Sequence, residues 1–182
     1  MKTNLEAKNS IDRKRIRDYL TKFSLNKSIL QWDIGASSSN DMSVQVDQGE
    51  PKQLKASQRS SITIRVWNKD GLVGITSTSD LSESGLEKAF EGAYEASKYG
   101  NPSGIPQFSP LAKDELPLLD KPLLEFVGIK ELLKLLKGAE IELINKHKAI
   151  KNVPYNGLAE SDFERIYINS DGADRILKAT QA

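Results

Sequence analysis

The chain has 182 residues, with Lys and Arg totalling 26 against 25 Asp and Glu, a formal charge of +1, 38% hydrophobic and 28% charged residues. This balance fits a soluble globular chain and lacks the basic excess that phosphate contacts demand of a nucleic-acid binder. Zero cysteines exclude disulfides, thiolate nucleophiles, iron–sulfur clusters and zinc–thiolate centres. No apolar run approaches the length of a membrane span, and residues 1–8 lack the apolar stretch of a signal peptide, so a cytoplasmic location is expected.

In chain order, Ile16, Tyr19, Leu20 and Phe23 follow helical spacing, with Ser10 as a candidate cap. The basic cluster Arg13, Lys14, Arg15 and Arg17 lies on this helix between Asp12 and Asp18 and reads as a solvated face more than a phosphate contact. From residue 28 to 79 the period falls to two. Residues 29–34, 42–46, 52–56, 62–67 and 72–76 read as about five antiparallel strands with one wet face. The turn signals are Asp47-Gln48-Gly49-Glu50-Pro51 and Asn68-Lys69-Asp70-Gly71, and the serine-rich run 36–40 reads as a strand connection.

A second helix carries Leu86, Phe90, Ala93 and Tyr94 on its inner side. Asp80 or Ser82 would cap it, with Ser84 and Glu87 as an alternative capping box, and Gly100 sits where a left-handed C-cap belongs. Five prolines between residues 101 and 122 mark an extended connector anchored by Phe108, Leu111, Leu116, Leu118 and Leu119. A long helix then starts near Leu123 or Gly128 and runs to His147, with Ile129, Leu132, Leu133, Leu136, Leu143 and Ile144 inward. Gly138 in its middle implies a close neighbour. Residues 150–154 and 159–168 read as strands, Asn169-Ser170-Asp171-Gly172 as a turn, and 175–179 as the start of a returning strand. A strand pair needs further partners, so the natural protein is expected to continue beyond it. The division is 1–100 (helix, meander, helix), 101–122 (connector) and 123–182 (long helix and the beginning of a further β region), in an α+β fold: an antiparallel meander sheet with two to three packing helices.

Chemistry-bearing residues are few. His147, the single histidine, stands between Lys146 and Lys148 at a helix end, where the macrodipole favours it. One His and no Cys cannot make a two-histidine or cysteine-based metal site, and no H-E-x-x-H, G-x-S-x-G or phosphate-loop pattern is present. Asp114-Glu115 is an ordinary carboxylate pair, and Trp32 and Trp67 read as core or interface residues. The expectation is no catalytic, cofactor-binding or metal residue in this chain.

One resemblance emerges from the order of motifs. Val44-Gln45-Val46-Asp47-Gln48-Gly49-Glu50 is followed by Ser61-Ile62-Thr63-Ile64-Arg65-Val66-Trp67, then by residues 71–82 with Ser77-Thr78-Ser79-Asp80-Leu81-Ser82 leading into an alanine-rich helix. With the later Asn169-Ser170-x-Gly172 turn, this order resembles the N-terminal region of TldD/PmbA proteins, also known as modulators of DNA gyrase; the Ser-Thr-Ser-Asp-Leu-Ser run is closer to the PmbA (TldE) branch. The resemblance implies an α+β N-terminal domain beside a β-rich C-terminal region that carries the zinc motif in the TldD branch. It also implies paired subunits enclosing an active site for peptides or unfolded segments. This chain would then be a non-catalytic scaffold and subunit contact, inactive alone, with zinc in the C-terminal region or a TldD-like partner subunit. The alternatives are a stand-alone protein-binding module and a DNA- or gyrase-associated regulator.

Overall fold

A computed structural model describes residues 11–102, 104–110, 113–115 and 125–182. The elements are α1 (Arg13–Lys27), β1 (Ile29–Asp47), β2 (Glu50–Asn68), β3 (Val73–Thr78), α2 (Glu83–Ser97), β4 (Asp114–Glu115), α3 (Ile129–Lys146), β5 (Gly157–Asn169) and β6 (Ala173–Gln181). The strands form one sheet in the order β3-β2-β1-β5-β6-β4. β2 and β3 pair antiparallel, with Arg65 opposite Ile75 and Val66 opposite Gly74, while β4 joins β6 in parallel. The α+β class and the antiparallel meander with three helices therefore stand.

Strand number differs from the sequence expectation. The five strands read between residues 29 and 76 are three, because β1 and β2 are 19 residues each and run through the breaks. The serine-rich run 36–40 lies inside β1 and is not a connection. Ser37 takes a partner across the sheet, Ser61 at 3.1 Å, so polarity there marks a wet face and not a turn.

Two turn designs close the hairpins. Gln48 and Gly49 both have positive φ (52° and 79°), the conformation that matches strand twist in a two-residue hairpin loop. The Asn68 and Asn169 turns share a different device. Asn68 Oδ1 accepts from the amides of Asp70 (2.9 Å) and Leu72 (3.1 Å), and Asn169 Oδ1 accepts from those of Asp171 (3.0 Å) and Ala173 (2.8 Å). In each, the glycine, Gly71 or Gly172, supplies the left-handed residue that returns the chain.

The chain forms two compact units. In the first (residues 1–38, 60–120 and 164–177), Ile16, Leu20 and Phe23 of α1 and Leu86, Ala89, Phe90 and Ala93 of α2 share one core with Trp32, Ile34, Ile62, Ile64, Val66, Ile166 and Ile168. Each fully buried side chain of this size contributes roughly 1.5–3 kcal/mol. Tyr19 stacks on Phe90 at 5.0 Å and Tyr94 meets Phe23 edge-on at 6.3 Å. α2 lies close on β3 because Gly74 has no side chain; a Cβ there would stand 1.9 Å from the Ala93 carbonyl oxygen.

Several local expectations change. Asp12, not Ser10, caps α1, accepting from the Arg15 amide at 3.0 Å; Ser10 lies outside the described residues. Ser82 caps α2 through the Gly85 amide at 3.1 Å, so the Ser84 start is not used. Gly100 is not a left-handed cap, since α2 ends at Lys98 in right-handed conformation. Glycine is required there for proximity instead, a Cβ falling 2.1 Å from the Val73 carbonyl oxygen. In the connector, Phe108 meets Trp67 edge-on at 6.4 Å; Leu111, Leu116, Leu118 and Leu119 lie outside the described residues.

In the second unit (residues 39–59, 121–163 and 178–182), Leu132 and Leu136 of α3 pack on Val44 and Val46, with Met42, Ile129, Leu133 and Leu158 around them. Leu143 is exposed, and the buried position on that stripe belongs to Glu140. Gly138 faces open space, which removes the close neighbour expected for it. Residues 150–154 are not a strand; the Ile150 amide bonds back to the His147 carbonyl in a turn.

Candidate functional site

Alternation along β1, β2 and β5 sends Trp32, Ile34, Ile64, Val66, Ile166 and Ile168 to the helices of the first unit. The intervening residues face the other way. Asp33, Arg65 and Tyr167 meet on that second face. Arg65 Nε donates to Asp33 Oδ1 at 2.8 Å, its Nη2 bonds to Asp33 Oδ2, and the Tyr167 hydroxyl donates to Asp33 Oδ2 at 3.2 Å. Asp33 is 2% exposed while the Arg65 side chain is 45% exposed, so the carboxylate is sealed beneath its cation. The guanidinium also sits 5.4 Å from the Trp67 ring.

Electrostatics follow from this geometry. The hydrogen bonds from Arg65 to Asp33 raise the pKa of the guanidinium further. Burial pushes the Tyr167 phenol above its ordinary value, and the Asp33 charge adds to that. The phenol is held as a neutral donor. The cluster orders this face by tying β1, β2 and β5 together through one carboxylate.

A second polar cluster lies in the other unit. Asp41 accepts from Ser161 at 2.7 Å, Arg59 at 2.8 Å and Ser39 at 3.0 Å. The Ser161 bond first, and then Arg59, hold its pKa at about 2. Two buried glutamates in the same unit clasp main-chain amides. Glu140 accepts from Gln48 (3.1 Å) and Gly49 (2.8 Å) at the hairpin tip, and Glu160 accepts from Val127 (2.9 Å) and Gly128 (3.1 Å) at the start of α3.

The first unit also holds a groove of about 370 Å³ between α1 and α2, floored by Ile16, Tyr19, Leu86 and Phe90. The Arg15–Glu83 ion pair, at 3.0 Å, spans its rim. Arg13 and Arg17 both pair with Asp174, the latter at 2.7 Å. Three of the four cations in the N-terminal basic cluster are thus engaged with carboxylates, while Lys14 and Arg15 stay exposed, so the face is a solvated one laced with ion pairs.

The residues singled out from sequence do not converge. His147 is exposed at the end of α3, its Nδ1 accepting from the Ala149 amide at 3.1 Å. Trp32 and Trp67 are buried. Among the described residues no three His, Asp or Glu side chains group as ligands for a metal. The sequence pattern assigns no partners to Asp33, Arg65, Tyr167, Asp41 and Glu160, since a polar residue in an alternating strand reads as solvated unless its partner is known, nor to Glu140, whose partners are hairpin amides far from α3 in sequence.

Comparison with known proteins addresses the family. Residues 32–97 match the PmbA/TldA metallopeptidase domain 1. This segment is similar to a first domain of the TldD/PmbA type. No curated protein matches the chain. TldD/PmbA-type architecture recurs among solved structures: TldE from Thermococcus kodakarensis (21% identity, TM-score 0.69) matches 91% of this chain and 37% of its own. A Thermotoga maritima protein, named for a proposed role as modulator of a DNA gyrase, gives 20% identity and TM-score 0.71 over 92% of this chain and 37% of its own. A similarly named protein from Bacteroides thetaiotaomicron gives 17% and 0.70 over 94% and 39%. The chain thus spans less than two-fifths of the length of these relatives. The fold is that of a TldD/PmbA N-terminal domain.

Proposed function

We propose that this chain is a non-catalytic scaffold and subunit-contact domain of a TldD/PmbA-type metallopeptidase assembly that acts on peptides or unfolded segments. The observation that carries the reading is the domain 1 match over residues 32–97, the stretch that builds β1, β2, β3 and α2. The face turned away from α1 and α2 supports it, because the ordered Asp33–Arg65–Tyr167 cluster and the exposed Ile75 offer mixed polar and apolar contacts of the kind found at interface rims. One exposed histidine and no cysteine leave the chemistry to a C-terminal region or to a TldD-like partner subunit, where zinc would reside.

The test mixes the purified chain with a TldD-type subunit. Co-elution on size exclusion is expected, as is no stoichiometric zinc uptake by the chain alone in calorimetry. Cleavage of a peptide by the isolated chain, abolished by a chelator, would overturn the proposal.

A further inference from the structure

Asparagines in this fold divide by how their side-chain amides are held. Asn68 and Asn169 have Oδ1 fixed by two turn amides each, and Asn68 Nδ2 also donates to the Ser97 carbonyl at 3.0 Å. Asn156 is different. Its Nδ2, like that of Asn169, is enclosed with no hydrogen-bond partner, but it lacks the Oδ1 tether to turn amides that holds Asn169, and its main-chain carbonyl accepts the Val46 amide at 3.1 Å. It is also the one asparagine in the sequence that precedes a glycine. Gly157 is exposed, and a Cβ built there would meet its nearest atoms, Gln45 Cγ and Val44 O, only at 3.6 Å. Tyr155, just before, is fully exposed with φ 61°, so this stretch leaves regular structure immediately before β5 begins.

We propose that Asn156-Gly157 is a site of spontaneous covalent modification, in which the Gly157 main-chain nitrogen attacks Asn156 Cγ. The N–Cγ bond forms and the Cγ–Nδ2 bond breaks. The amide proton leaves with the side-chain nitrogen as ammonia. Water then opens the resulting succinimide at either carbonyl, giving aspartate or isoaspartate. One water is consumed, one ammonia is released, and nothing is oxidised or reduced. Glycine on the nucleophile side favours the attack because a side chain would crowd the approach to Cγ, and no hydrogen bond from Nδ2 holds the Asn156 amide out of reach.

The products would damage the second unit in two ways. A carboxylate replaces an enclosed amide, and a buried charge without a partner is disfavoured. The isoaspartyl form adds a methylene to the main chain beside the carbonyl that holds Val46, at the entry to β5.

The experiment ages the folded chain in mildly alkaline buffer, digests it with trypsin, and follows the peptide running from Asn152 to Arg165 by mass spectrometry. The expected result is the mass gain of amide-to-acid conversion with isoaspartate at Asn156, while Asn152 in the same peptide stays unchanged. Asn156→Gln loses the gain, and Gly157→Ala slows it. Asn156→Asp, made directly, lowers the urea midpoint of the unaged chain. If a urea-unfolded sample converts while the folded chain does not over the same time, the fold blocks the attack and the proposal fails. It fails equally if Asn152 converts as fast as Asn156.

Discussion

At the scale of single residues, the most consequential contact is the sealed carboxylate of Asp33. Its two oxygens are occupied by Arg65 and Tyr167, so removing the cation leaves a buried charge with only a phenol beside it. Arg65→Ala is expected to cost about 1–3 kcal/mol, the penalty for stranding a buried acceptor, and urea unfolding checks it. Asp33→Asn should bring the Tyr167 pKa down, because the Asp33 charge and its hydrogen bond both raise it, while burial, the largest cause, remains. Ultraviolet titration of the phenols reads this directly. Asp41 gives a pH prediction of definite sign. Its folded pKa, about 2, lies below the ordinary 3.8, so its contribution to stability is fully present above pH 3.8 and disappears as pH falls towards 2. Asp41→Asn should flatten the stability–pH curve in that window, and acid titration with circular dichroism would show it.

Elements are positioned by where side chains are absent as much as by where they pack. Gly74 and Gly138 make an opposed pair. Gly74→Ala would drive a methyl into the Ala93 carbonyl and the Ser97 amide, so a loss of about 1–3 kcal/mol is expected, with α2 lifted from β3. Gly138→Ala meets nothing within 4 Å on an exposed helical position and should stabilise α3 by ~1 kcal/mol. Thermal unfolding of the two variants should therefore shift in opposite directions. Glu140 ties α3 to the β1–β2 hairpin tip of the same unit through the Gln48 and Gly49 amides. Glu140→Ala leaves both amides without that acceptor and should cost about 1–3 kcal/mol. Hydrogen exchange at Gln48 and Gly49 is expected to accelerate ahead of the rest of the unit.

For the molecule as a whole, a linear sequence reading favours a linear division, because periodicity is a local property. The sheet does not respect chain order. β1, β2, β5 and β6 each contribute residues to both compact units, and β5 enters beside β1 from far along the chain. Helical stripes were legible in α1 and α2 since each buries one continuous side: Ile16, Leu20 and Phe23, then Leu86, Phe90 and Ala93. The hairpin turns were legible because glycine at positive φ has few substitutes. Strand ends in β1 and β2 were not, since serine on a wet strand face looks like serine in a loop. The polar clusters were invisible for the same reason in another form. Asp33 and Arg65, or Asp41 and Ser161, become partners only when strands distant in sequence are laid side by side.

The amino-acid order by itself carried the resemblance to TldD/PmbA proteins and determined the α+β class, the main helices and the turns, because these depend on spacing within a few residues and on the special geometry of glycine, proline and asparagine. Only the tertiary structure decided which charges are buried and which glycines are irreplaceable. Both depend on what stands opposite across the sheet, and neighbouring residues in the chain carry no information about that.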